Sequence, residues 1–129
     1  MGKNSEIVTA FVKACMSNEV DEMMSFFAPD AVYTNVPIPP PHVGVEAIRE
    51  TLTGYYSGSS QVELRVHNQA ESESGVVMNE RLDRILAGDK WIELPVVGVF
   101  EISDGKIVRW SDYFDVGQLS AQMQKAPVR

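Results

Sequence analysis

Three charged side chains stand where a strand pattern is otherwise largely apolar: Arg81, Asp83 and Asp112. Alternate residues of a β-strand share a face, so Val77, Asn79, Arg81, Asp83 and Ile85 are expected to project together. Val108, Trp110, Asp112, Phe114 and Val116 form a similar set further along, and Asp112 is the one interruption of its apolar run. An ionised carboxylate is costly to bury unless it is paired and hydrogen-bonded. Arg81 is the natural partner, because a planar guanidinium serves two carboxylates at once, Asp83 on its own strand and Asp112 across the sheet. Such a unit suits general acid–base chemistry. Two carboxyls in a desolvated site do not both ionise freely, while a bridging arginine stabilises the charge on one of them. At an effective dielectric near 20, unit charges about 4 Å apart interact by about 4 kcal/mol, ample to bias which carboxyl keeps its proton. The plainer alternative is an ion-pair cluster on a wet sheet face. Arg84, Glu80 and Arg109 read as solvated charges of that kind.

The elements that must position these residues are legible in outline. Asn4-Ser5-Glu6 reads as a helix start, with Ile7, Val8, Phe11, Ala14 and Cys15 recurring at three- and four-residue spacing. Asn18 and Asp21 suggest a second cap, opening a short helix through Met23, Phe26 and Phe27 that stops before Pro29. Residues 32–36 alternate as a short strand with Tyr33 and Asn35 on one side, and Pro37, Pro39, Pro40 and Pro41 enforce a loop. A third helix spans Glu46 to Tyr56, ended by Ser57-Gly58-Ser59-Ser60. Strands follow at about 61–71, 76–87, 91–102 and 107–115. Short turns at Gly88-Asp89 and Asp104-Gly105 make them an antiparallel meander. Pro95 predicts a bulge or bend in the longest strand, and 118–125 a short terminal helix. Helices first and a curved sheet afterwards give an α+β fold whose cavity suits a small molecule.

Bulk properties narrow the function. The 129 residues suit one domain, 1–129, and a net charge of −7 with a pI near 4.7 disfavours a nucleic-acid partner. No apolar run reaches the ~18 residues needed to span a bilayer, so no membrane role is expected. Cys15 is the single cysteine, which excludes an intramolecular disulfide and makes a reducing, cytoplasmic setting the default. It reads as a buried, inert thiol. His42 lies beside prolines and His67 in an edge-like strand, so neither has the context of a metal ligand or catalytic base, and no metal site is expected. A nucleophile elbow is absent, which excludes the larger α/β-hydrolase enzymes.

Taken together, Tyr33-x-Asn35, Asn79-Glu80-Arg81-Leu82-Asp83 and Trp110-Ser111-Asp112 resemble the limonene-1,2-epoxide hydrolase family in type, order and spacing over most of the chain. The resemblance implies a cone fold, a curved antiparallel or mixed sheet packed on N-terminal helices and shared with ketosteroid isomerase and scytalone dehydratase. It also implies a homodimer. Carried onto these residues, Asp112 is the general base that, with Tyr33 and Asn35, holds and deprotonates a water. Asp83 is the general acid that protonates the epoxide oxygen, and Arg81 keeps the two apart. Ile85 and Phe114, two positions beyond the aspartates on the same faces, are expected to line a pocket for a hydrophobic epoxide, with plain core as the alternative, and Trp110 reads as core before it reads as pocket wall. Each positioned acid or base contributes roughly 10²–10⁴ in rate and the epoxide adds ring strain, so no cofactor is called for. The chain begins almost at its first helix, without the longer lead of the family's best-known member, a departure that bears on how the pocket closes. Two other readings stay open: an isomerase or dehydratase on the same cone that needs one aspartate and no Arg81, and a non-catalytic small-molecule-binding module.

Overall fold

The computed structural model describes residues 2–57 and 61–125. In chain order the elements are α1 (Lys3–Met16), α2 (Val20–Met24), β1 (Phe27–Asn35), β2 (His42–Val43), α3 (Val45–Ser57), β3 (Gln61–Glu71), β4 (Val77–Ala87), β5 (Lys90–Ser103), β6 (Lys106–Tyr113) and α4 (Val116–Lys125). Gly58, Ser59 and Ser60 of the expected breaker lie outside the described residues. The six strands form one sheet in the order β2-β1-β6-β5-β4-β3. β3 to β6 are the expected meander. Its β5–β6 turn holds Asp104 and Gly105 at φ of 51° and 77°, the left-handed backbone a tight hairpin requires.

β1 is the exception to the antiparallel pattern. It lies parallel to β6, with Tyr33 opposite Trp110 and Asn35 opposite Asp112, so the sheet is mixed. The apolar stripe of α1 (Val8, Phe11, Val12, Cys15) and Ile48 and Leu52 of α3 pack with the buried sheet face into one core. Phe11 is its hub, meeting Phe26, Phe27, Phe100 and Trp110 edge-on. Burying one such ring contributes about 1.5–3 kcal/mol.

Several local expectations are corrected. The second helix ends at Met24, and Phe27 opens a nine-residue strand that runs through Pro29. A five-residue helix is intrinsically weak, whereas the backbone at Phe26 and Phe27 gains a partner in Ile107 and Phe27 gains Phe11. A register shift between Phe27 and Val32 accommodates Pro29. Neither Asn4 nor Asn18 caps a helix: Asn4 bonds the Gly75 carbonyl, and Asn18 sits at φ 64° ahead of Glu19. Pro95 makes no bulge, since β4 and β5 pair without a shift there. Pairing with β6 begins only at Val97, so β5 is an edge on that side at Pro95 and a missing N–H breaks no ladder. The bulge lies instead at Glu101/Ile102, and it turns Ile107 into the core beside Trp110 in place of Val108. β6 stops at Tyr113, and Val116 opens α4 behind Asp115, whose Oδ1 accepts from the backbone N–H of Gly117 and Gln118. Arg84 is not simply solvated: it bridges Glu63 and Glu93 and lies over the Trp91 ring.

The N-terminus of α1 is satisfied from the sheet. Glu71 Oε1, at the end of β3, accepts from the Ser5 N–H at 2.8 Å, and no α1 cap side chain does so. Glu71→Ala is expected to lower unfolding free energy by about 1 kcal/mol and to deprotect the first turn of α1 in hydrogen exchange. An unchanged first turn would show that the carboxylate does not cap this helix.

Candidate active site

β4 and β6 are not neighbours, so Arg81 must reach across β5. Strands are about 4.8 Å apart, which sets the gap near twice that. The register places Asn79, Gly98 and Asp112 side by side on β4, β5 and β6, and Asn35 next to Asp112 on β1. Gly98 has no side chain, so the guanidinium lies over it. A Cβ there would stand 2.5 Å from Arg81 Nη1, 2.9 Å from Asp112 Oδ1 and 3.0 Å from Asn79 Oδ1.

Arg81 is only 2 % exposed, yet it is fully hydrogen-bonded. Nε and Nη2 donate to the two oxygens of Asp83 at 3.0 Å each. Nη2 donates to Asp112 Oδ2 at 3.0 Å and Nη1 to Asp112 Oδ1 at 3.3 Å. The two carboxylates differ in surroundings. The Asp112 side chain is 7 % exposed and receives the Trp110 indole N–H at 2.7 Å, while that of Asp83 is 17 % exposed. Beside Asp112, the Tyr33 hydroxyl donates to Asn35 Oδ1 at 3.1 Å, and Asn35 Nδ2 donates to the Tyr55 hydroxyl at 2.7 Å. Tyr33 stacks on Trp110 with ring centroids 4.1 Å apart.

These groups meet in a cavity of about 430 Å³. Tyr33, Asn35, Arg81, Asp83 and Asp112 all line it, as do Ile85, Phe114 and Trp110. Leu64, Leu94 and Val96 line it from the sheet and Leu119 and Met123 from α4, so most of the wall is apolar. Phe114 reaches it from just beyond β6 rather than from the strand. Among the described residues no three His, Cys, Asp or Glu side chains cluster as metal ligands, and no helix is long and apolar enough to cross a membrane.

A family model described as the limonene-1,2-epoxide hydrolase catalytic domain matches residues 2–125. The chain belongs to the limonene-1,2-epoxide hydrolase family. Over 114 residues it is 32% identical to epoxide hydrolase EphG of Mycobacterium tuberculosis (strain ATCC 25618 / H37Rv), covering 84% of this chain and 71% of that protein. The solved structure of an M. tuberculosis LEH-like epoxide hydrolase matches with a TM-score of 0.79 at 28% identity, over 93% of this chain and 88% of that one. A protein of ketosteroid isomerase-like fold from Catenulispora acidiphila DSM 44928 matches with a TM-score of 0.81 over 91% of each chain. At 19% identity that likeness shows the fold alone, the cone expected from the sequence.

Electrostatics in this limonene-1,2-epoxide hydrolase family site follow from burial. Burial pushes the Asp112 carboxyl above its ordinary value, the Asp83 charge adds to the rise, and Arg81 and the Trp110 N–H pull against it. Burial by itself weakens a guanidinium's hold on its proton, but Asp112 and Asp83 more than reverse this, so Arg81 stays charged. Burial, reinforced by the Asp112 charge, keeps the Tyr33 and Tyr55 phenols protonated. The Cys15 thiol is fully buried and pushed up to about 12, as an inert core thiol should be.

The sequence reading missed three participants. Tyr55 lies beyond a loop whose path is set by tertiary packing. Asn79 was placed on the right face but given no task. Gly98 carried a usable signal, since an isolated glycine inside a strand pattern marks close approach of another group. Gly98→Ala is expected to cost about 1–3 kcal/mol of stability by displacing the guanidinium, read as a lower urea midpoint at unchanged slope. Unchanged stability would mean that the cluster yields without loss.

Proposed function

We propose that the chain adds water directly to a hydrophobic, cyclic epoxide, giving a vicinal diol by concerted general acid–base catalysis. The observation that carries this reading is one buried guanidinium gripping both Asp83 and Asp112 at the polar floor of an apolar cavity. Family membership supports an epoxide and water as the reactants. Asp112 is assigned the base because Tyr33 and Asn35, the groups suited to hold a water, sit on its side of Arg81. Asp83, on the other side, is the acid.

In the step, Asp112 takes a proton from water as the water oxygen bonds to a ring carbon. The ring C–O bond breaks, and its electron pair takes the proton of Asp83. One water has been added, Asp112 now holds a proton and Asp83 is a carboxylate. Returning the proton from Asp112 to Asp83 restores the starting state. A raised proton affinity makes Asp112 the stronger base when ionised, and Arg81 keeps the ionised form accessible. The apolar wall, with Ile85, Phe114 and Trp110, supplies the fit for a hydrophobic ring and strengthens every charge interaction inside.

Asp112→Asn and Asp83→Asn are each expected to lower turnover by roughly 10² or more while circular dichroism stays native. Near-normal hydrolysis by either folded variant removes that residue from its role. Because the base must be ionised and Asp112 holds its proton more tightly than an ordinary carboxyl, kcat/KM should fall on acidification through a value above the usual ~4. A limb at or below that value contradicts Asp112 as the base. In a single turnover in ¹⁸O-labelled water, direct attack puts label into the diol at once, and an unlabelled first product indicates a covalent aspartyl ester instead.

A further inference from the structure

Arg81 has five N–H donors, and its fifth acceptor is neither aspartate. The second Nη1–H goes to Asn79 Oδ1 at 3.1 Å. Asn79 is buried to 2 % exposure and does not line the catalytic cavity. Its other end is tied across the β3–β4 pair, where Asn79 and Gln69 are register partners and Asn79 Nδ2 donates to Gln69 Oε1 at 3.1 Å. Gln69 Nε2 donates in turn to the Ser5 carbonyl and Thr9 Oγ1 of α1, both at 3.1 Å. The relay therefore has a direction. With the Gln69 nitrogen committed to α1, its oxygen faces Asn79, which turns the Asn79 oxygen toward the guanidinium. A reversed Asn79 amide would aim N–H at the guanidinium N–H at one end and oxygen at the Gln69 oxygen at the other.

We propose that Asn79, oriented by Gln69, is a positioning residue for epoxide opening: its carbonyl fixes the plane of the Arg81 guanidinium so that both aspartates keep two-point bonds to it. The proposal rests on the reading above for what is catalysed, but not for how Arg81 is held. The charged and titratable groups facing Asp112 are Arg81 and Asp83 from β4, Tyr33 from β1, Tyr55 from α3 and Cys15 from α1, while β5 presents only Gly98. Arg81 is the one cation in this set. Loosening its grip leaves Asp112 facing burial with less opposing charge, which holds its proton on.

The test uses the full chain with ¹⁵N-labelled arginine and the near-isosteric Asn79→Leu. In the unaltered protein the Arg81 Nη resonances should be resolved, because five bonds stop rotation about Cζ–Nε. In folded Asn79→Leu those signals should merge, kcat should drop by about tenfold or more, and KM should stay within about twofold because Asn79 does not line the cavity. The acid limb of the rate profile should move to higher pH. A purely structural role would lower the melting temperature and leave rotation and acid limb where they were, and that result overturns the proposal. If Asn79→Leu does not fold, Gln69→Leu decides, since Gln69 is only partly buried. It should show the same changes at smaller size, and an unaltered rotation and profile overturn the proposal there too. If the unaltered protein opens no epoxide, the functional reading fails and Arg81 rotation alone decides this one.

Discussion

The structure depends on one buried cation having enough acceptors. A guanidinium at 2 % exposure is tolerable only when its five donors are paired, and removing one partner of such a cluster typically costs 3–5 kcal/mol, roughly. Here the partners are three residues from two strands: Asp83 and Asn79 on the same strand and Asp112 two strands away. That last contact couples the pairing of β4, β5 and β6 to the geometry of the candidate site. A slip of one residue in either ladder would turn Arg81 or Asp112 to the other face.

The same requirement explains a glycine in the middle of the longest strand. Any side chain at position 98 would occupy the space the guanidinium uses, so the entropic cost of glycine in a strand is offset by a satisfied ion cluster. It also gives meaning to the parallel placement of β1 beside β6. Setting Asn35 opposite Asp112 and Tyr33 opposite Trp110 brings two more polar tips to the cluster, and the stacked Tyr33 and Trp110 rings close the apolar wall behind them.

Around this polar floor the remaining design is apolar. Phe11, Phe100 and Trp110 form the aromatic layer under the cluster, and α3 and α4 supply part of the cavity wall. The low dielectric that makes the Arg81 bonds strong is also what raises the Asp112 carboxyl, so packing and that carboxyl's proton affinity have one physical source.

The sequence by itself determined how the charged residues of the site are placed on their strands. Strict alternation placed Arg81 with Asp83 and made Asp112 an anomaly in an apolar run, and the cost of burying an unpaired carboxylate demanded their union. The helix of 46–56 and the four-strand meander were equally plain, because their periodicity and glycine turns are local properties. Tertiary structure decided what periodicity cannot carry. Whether β1 sits beside β6, and in which register, is a long-range choice with no local signature, and it put Asn35 next to Asp112. Phe27 became strand rather than helix because Phe11 and the β6 backbone offered it more than one short helical turn. The bulge at Glu101/Ile102, invisible in the alternation, exchanged Val108 for Ile107. Asn79 and Gly98 acquired their tasks only when three strands lay side by side, since a hydrogen-bond acceptor and an empty space have meaning only relative to the arginine that fills them.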